Sequence, residues 1–329
     1  MKRAINTLIE LLDYIKSGSF PILVAFSGGK DSVALALYLL EQGIVPGRIH
    51  LHHHDVDGGG PNIFDWPCTL SYCQAFAKAL DLPLYISFRA GGIAREIYRR
   101  NEPRQDVFFQ KMPGADFFRI PANKDALNSR EKFPAISSNL SLRWCSSTVK
   151  IDVLASVVCH HPDYQSELVV LTGERKEESK ARSRYKYVEP YRSATQTREA
   201  IHGRLILDYP ELAVWNIMAR YHIQPHPAYM LGWNRCSCQT CIFGDPNIWA
   251  TLALIDPGKI AAIHKMEKDI QFTMYPGGSI WNRVKSGQAL SELDPFWVAQ
   301  SLGRFTAPIL VDQWGLPLGA FRKETAGAG

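Results

Sequence analysis

The chain reads as an α/β protein, a doubly wound, mostly parallel sheet followed by a smaller C-terminal helical lobe. Three observations predict this. Apolar, partly β-branched runs of strand length recur at residues 22–26, 49–57, 82–88 and 167–173. The segments between them carry helical periodicity, the alternation that builds parallel sheets. After residue 210 helix-like segments predominate, so residues 1–210, with an insertion at 89–140, form the sheet domain and residues 211–329 the lobe.

Bulk properties bound the function. At 329 residues, 46% hydrophobic and 21% charged, the chain has a globular composition. Its net charge of +5 suits phosphate-rich ligands and is too small to establish a nucleic-acid partner. No apolar run approaches the roughly 20 residues of a membrane span, and residues 1–10 look like an amphipathic start, which leads us to expect a cytoplasmic protein. Seven cysteines, an odd number, argue for metal or redox use over a disulfide framework.

In chain order, Ile5, Leu8, Ile9, Leu11, Leu12 and Ile15 mark an amphipathic helix over 4–16. The strand 22–26 then enters Ser27-Gly28-Gly29, and residues 31–40 read as a helix. A strand feeding a helix through a glycine turn aims backbone N–H groups and the positive helix end at one point, an anion site. The spacing is neither G-x-x-x-x-G-K-[ST] nor G-x-G-x-x-G. Asp55, near the carboxyl end of the second strand, falls where open sheets hold a nucleotide. The adjacent histidines 52–54 invite a metal reading, but only two of three consecutive strand residues share a face. Residues 66–80 look helical, with Cys68 and Cys73 as core thiols.

Periodicity weakens from 89 to 139, where cations such as Arg95, Arg99, Arg104 and Arg119 interleave with Phe108, Phe109, Phe117 and Phe118. Either a nucleic-acid channel with stacking rings or a solvated excursion with packed rings fits. After the segment 142–151, which carries Cys145 and Lys150, the apolar stretch up to Cys159 is expected to be a helix. The strand at 167–173 ends in Gly173, Glu174 and Arg175, with Arg182 behind, guanidinium groups able to fork onto phosphate. Past Tyr187 the sheet is expected to be nearly complete; helices follow at 211–221 and 257–268, and residues 324–329 are expected to be disordered.

Residues 27–32, Ser-Gly-Gly-Lys-Asp-Ser, resemble the SGGxDS loop of the PP-loop ATP pyrophosphatases, which split ATP into AMP and pyrophosphate. With Cys145 ahead of Lys150, the segment 173–182, the segment 207–215, His226-Pro-x-Tyr229 and Cys238-x-x-Cys241, the ordered set over roughly 20–245 resembles the PAPS/APS reductase superfamily. The resemblance implies nucleotide contacts from Phe26, Ser27, Gly28, Gly29, Ser32, Asp55, Gly173, Glu174 and Arg182, and catalytic roles for Lys30, Asp31 and Arg175, with ATP and Mg²⁺. It also implies a [4Fe-4S] cluster on Cys145, Cys236, Cys238 and Cys241, with zinc or unligated thiols as the other options.

Two departures matter. Ser146 stands where the iron–sulfur reductases carry a second adjacent cysteine, and no cysteine follows Cys241 to serve as the reductases' tail nucleophile. The chain therefore looks most like the DndC/SspD-type ATP pyrophosphatases of DNA phosphorothioation, which implies DNA and a cysteine desulfurase as partners. A sulfonucleotide reductase with an unusual thiol, an adenylating tRNA thiolase and an ATP-gated binding protein are the alternatives.

Overall fold

The expected alternation of strands and helices is present in the computed structural model, which describes residues 5–322. Thr7 opens α1 (Leu8–Ser17) with a capping box in which its hydroxyl accepts from the Glu10 N–H and the Glu10 carboxylate accepts from its own. Then come β1 (Ile22–Ala25), α2 (Lys30–Glu41), β2 (Ile49–Asp55), α3 (Thr69–Ala79), β3 (Leu84–Arg89) and α4 (Gly92–Ile97). The insertion supplies β4 (Val107–Gln110) and β5 (Phe117–Ile120). One bent helical stretch follows: α5 (Trp144–Ser146), a π-helical turn over Ser147–Ile151, and α6 (Asp152–His160). β6 (Glu167–Leu171), β7 (Val188–Pro190) and β8 (Glu199–Gly203) complete the strands. Helices α7 (Glu211–Arg220), α8 (Pro227–Met230), α9 (Pro246–Ile255), α10 (Pro257–Ile270), α11 (Ile280–Lys285) and α12 (Pro295–Leu302) follow.

The strands form one sheet in the order β5-β4-β3-β2-β1-β6-β8-β7. The central five, β3 through β8, are parallel, and antiparallel pairing is confined to β3–β4, β4–β5 and β7–β8 at the edges. The chain winds from β1 outward to β3 and then returns to β6 on the other side of β1. The sheet order therefore reverses at β1, where the carboxyl ends of an open sheet form a crevice. Both faces are buried, so strand residues of alternate parity enter different cores. Ile22, Val24, Val169 and Leu171 join the larger cluster; Leu23, Leu168 and Val170 pack with Leu154 and Val157 of α6. The larger cluster continues into Trp249, Ile263 and Ile280, so the C-terminal helices share the core of the sheet.

The expectation that the sheet is nearly finished at Tyr187 is corrected by β7 and β8. These strands are three and five residues long and contain Pro190, Glu189, Glu199 and His202. They lack an apolar run because β6 supplies the register of β8 and β8 that of β7, and ion pairs such as Arg204 with Glu189 absorb their charges. The helix expected over 4–16 begins later, at Leu8, and residue 4 and the segment 324–329 lie outside the described residues. Among the described residues, no helix is long and apolar enough to cross a membrane.

Among the described residues, the histidines of β2 are not grouped to share a metal ion. His50 Nδ1 and His52 Nε2 both meet the Tyr164 hydroxyl at 2.8 Å, His53 Nδ1 lies 3.1 Å from the Phe26 carbonyl, and His54 Nδ1 lies 2.8 Å from Ser87 Oγ. Burial pushes the imidazole of His50 down to about 4, and those of His54 and His226 to about 3. Below pH ~6.5 the unfolded chain binds protons that the folded chain refuses, so stability falls as the pH drops, by about 1.4 kcal/mol per pH unit for each such histidine. Burial raises Asp57 to about 6, and between pH ~4 and 6 this one carboxyl opposes the trend with the same slope. The expected result is a melting temperature that is level above pH ~7 and drops steeply from 6.5 to 5. A melting profile in differential scanning fluorimetry that stayed flat across that window would contradict the neutral, buried state of these imidazoles.

Candidate nucleotide site

The turn after β1 is built for close approach. Gly28 has φ +74°, and a Cβ there would stand 3.0 Å from Cys73 Sγ and 3.1 Å from the Tyr72 ring. Ser27 Oγ accepts from the Gly29 N–H at 3.3 Å, the Ser27 N–H donates to Ser32 Oγ at 3.2 Å, and the Ser32 hydroxyl donates to the Gly29 carbonyl at 2.9 Å. The loop is thus internally tied and leads into α2, whose N-cap Gly29 has no side chain to cover the helix end.

Distant chain closes around that end. The Lys30 N–H and the Cys236 N–H both donate to the Tyr229 hydroxyl, at 3.0 and 3.1 Å. The buried Lys30 ammonium donates to the Asn234 carbonyl at 3.2 Å and lies 5.9 and 5.6 Å from the ring centres of Trp215 and Tyr229. Arg175 Nε donates to Asp31 Oδ1 at 2.6 Å, and its Nη1 donates to Glu177 and to the Tyr209 carbonyl. Burial pushes the Asp31 carboxyl up, but Lys30, Arg175 and Arg182 outweigh it and hold Asp31 below the usual carboxylate range.

Two cavities meet at the loop. One, of about 440 Å³, lies over the carboxyl ends of the central strands and includes Phe26, His54, Lys150, Val170, Glu174 and Tyr191. Its walls hold two buried polar atoms with no protein partner, the Tyr191 hydroxyl and His54 Nε2. The other, of about 290 Å³, is polar and is lined by six cations (Lys30, Arg143, Arg175, Arg182, Arg235, Arg322) against four acids (Asp31, Glu177, Glu178, Glu211). Ser27, Cys236 and Ser237 belong to both walls. The apolar chamber has the size and character of a nucleoside site, and the polar one suits a chain of phosphates.

Ser27, Gly29, Lys30, Asp31, Ser32, Arg175 and Arg182 therefore converge, with Phe26 and Glu174 on the nucleoside side. Arg182 pairs with Glu178 at the phosphate side. Burial pushes Glu174 up, and Arg204, whose Nε donates to it at 2.6 Å, more than reverses this. Three of the expected contacts, Gly28 in the turn itself, Asp55 and Gly173, line neither cavity. Asp55 accepts from the N–H groups of Asp57, Gly58 and Gly59 at 2.7–3.2 Å, capping the turn after β2. Gly173 permits contact between elements, since a Cβ there would stand 2.9 Å from the Asp31 backbone. Tyr229, Asn234, Lys150 and Tyr191 were not assigned to this site from sequence; Tyr229, within His-Pro-x-Tyr, and Lys150, behind Cys145, carried a signal, and Asn234 and Tyr191 did not.

The four cysteines expected to hold a cluster are neighbours but do not form a ligand set. The π-helical turn brings the Lys150 ammonium among Cys238, Asp65, Cys145 and Cys241; burial pulls its pKa down, and these neighbours more than reverse that, so it stays charged. Burial pushes the thiols of Cys145, Cys236 and Cys238 up. Among the described residues, no three His, Cys, Asp or Glu side chains are placed to share a metal ion. A [4Fe-4S] or zinc centre needs converging thiolates, and four cysteines that do not converge, with the Lys150 ammonium among them, do not fit either one.

No family model matches the chain. Over 114 residues it is 38% identical to the tRNA(Ile)-lysidine synthase of Chromobacterium violaceum, a match that covers 29% of this chain and 25% of that protein. The matched part thus spans about a quarter of the relative's length. The likeness supports the broad PP-loop superfamily and favours neither a phosphosulfate reductase nor a DNA-sulfur branch.

Gly173→Ala is expected to push the turn after β6 off the first turn of α2 and weaken ATP binding about tenfold. Gly47→Ala, where a Cβ would meet nothing within 4 Å, should change neither affinity nor melting. Titration of ATP into both variants checks this; equal affinities would mean that the contact does not shape the site.

Proposed function

We propose that the chain is a PP-loop ATP pyrophosphatase: an acceptor oxygen attacks the α-phosphorus of ATP, the α–β bond breaks, pyrophosphate leaves and the acceptor carries AMP. The observation behind this reading is the position of the Ser27-Gly28-Gly29 turn, on the seam between an apolar chamber and a cationic one. A nucleotide laid across that seam has its base in the first chamber, its β and γ phosphates in the second and its α-phosphate beside Ser27. The unpartnered Tyr191 hydroxyl and His54 Nε2 would hydrogen-bond the base edge.

Backbone N–H groups at the start of α2, Lys30 and Arg182 would take up charge that develops on the leaving pyrophosphate. Arg175 is committed to Asp31 and acts by positioning it. Asp31, kept ionised at the edge of the phosphate cavity, fits a Mg²⁺ ion, which usually takes one or two carboxylates plus phosphate oxygens. When bound, that ion would neutralise charge on the β and γ phosphates.

Within this reading the activated acceptor takes up sulfur, as the ordered motifs suggest, with DNA as acceptor and a cysteine desulfurase as sulfur source. Cys236, on the seam wall with its carbonyl packed on Gly29, provides a thiol beside the reacting phosphate. A tRNA acceptor is the second reading, favoured by the partial match to an enzyme named for tRNA(Ile).

The test uses α-labelled ATP and Mg²⁺ with DNA or tRNA, with and without a cysteine desulfurase and cysteine. Labelled AMP with pyrophosphate is expected, reduced at least about 100-fold in Asp31→Asn. ADP and orthophosphate as products would overturn the reading, and label or sulfur retained on one polynucleotide would identify the acceptor.

A further inference from the structure

The cations of the 89–139 segment are mostly neutralised where they stand. Arg95 pairs with Glu102, Arg100 with Glu131, Arg104 with Asp152, and Arg119 and Lys124 with Asp106, while Arg99 and Arg130 share Glu96. Arg89, the last residue of β3, is different. It is only 7% exposed, and among the described residues no carboxylate lies within ion-pair distance of it. Its Nε donates to the Thr148 carbonyl at 3.1 Å and its Nη1 to the Gln105 carbonyl at 2.7 Å, which leaves Nη2 without a protein acceptor. Two carbonyls recover only part of the hydration that a guanidinium loses on burial.

Arg89 forms part of the wall of a third cavity, of about 470 Å³, that shares no residue with the two nucleotide chambers. Arg99, Arg104, Gln105, Asn123 and Asn128 also line it, and no acidic side chain does. Three guanidinium groups and three side-chain amides around one space with no carboxylate in its wall are the donor set that an oxyanion needs. The π-helical turn forms the partition: the Thr148 carbonyl holds Arg89 on one side, and Lys150 lines the nucleoside chamber on the other.

The geometry points to a second anion site in this cavity, one that takes a phosphate-bearing ligand on Arg89, Arg99 and Arg104, separate from the ATP site. The shared chemistry is a phosphoryl oxyanion, and its source is either a free phosphate or ester or one phosphodiester of a polynucleotide laid along the insertion. The site stands whether or not the neighbouring chambers hydrolyse ATP.

Two variants test it. In Asn123→Asp the new carboxylate keeps the bond that the Asn123 side chain accepts from the Asp125 N–H, so folding is preserved while a negative charge enters the cavity. Arg89→Gln removes the buried charge. Inorganic phosphate is titrated calorimetrically, and a short fluorescein-labelled single-stranded deoxyoligonucleotide by anisotropy, into full-length wild type and both variants, with ATP affinity as the control for the untouched chambers. Loss of about tenfold in phosphate affinity, with the oligonucleotide unaffected, supports a free anion as ligand. A matching loss for the oligonucleotide, with a shallower salt dependence, supports a phosphodiester. If Arg89→Gln fails to fold, Asn123→Asp decides alone, and unchanged affinity for both probes in that folded variant overturns the proposal.

Discussion

The Asp31–Arg175 ion pair holds the two halves of the sheet's crevice together. β1 and β6 are neighbours by register, but the loops that leave them diverge unless something ties them. Arg175, 3% exposed, reaches from the segment after β6 to the first turn of α2, and Gly173 lets the two backbones touch there. Arg175 is buried and Asp31 half-buried, so the pair's net contribution to stability is small and loss of Asp31 would be costly, because it strands the guanidinium. Its effect is positional: an ionised carboxylate is kept at the mouth of the cationic chamber, at the point where the glycine turn ends.

A second layer of constraint comes from far along the chain. The Tyr229 hydroxyl accepts from the N–H groups of Lys30 and Cys236, so one phenol fixes both the helix start and the cysteine-bearing segment. This is why Ser27 and Cys236 share the wall between the chambers. Cys145, Cys238 and Cys241 are gathered around Lys150 because the π-helical turn rotates that lysine inward, and the charge of the ammonium changes what the thiols can do. A spacing that in sequence suggests metal ligands becomes, in the fold, a half-buried group of thiols with a resident cation.

The insertion illustrates the same distinction between composition and placement. Its mixture of cations and rings allowed a nucleic-acid channel or a packed excursion, and the fold divides it. Phe108 stacks on Phe88 at 5.4 Å and Phe117 meets the same ring at 5.0 Å, so these aromatics extend the sheet edge through β4 and β5. Most of the cations find carboxylates, and Arg89, which belongs to β3, does not.

The central strands, the glycine turn and the helix behind it were legible in the sequence, because apolar runs of strand length and turn chemistry act over a few residues. Ser27, Gly28, Gly29, Asp31 and Ser32 fall where that local grammar places them. β7 and β8 were not legible, since short polar strands exist only because β6 offers an edge and Arg204 balances Glu174 and Glu189. The tertiary structure alone decided that Asp55 caps a turn, that Gly173 is a contact point, that Arg175 holds Asp31 and that Lys150 sits among the cysteines. Each of those outcomes depends on which charges and cavity walls meet after the chain closes on itself, and residues as far apart as Lys30 and Tyr229 acquire a relation only when burial brings them to hydrogen-bond distance.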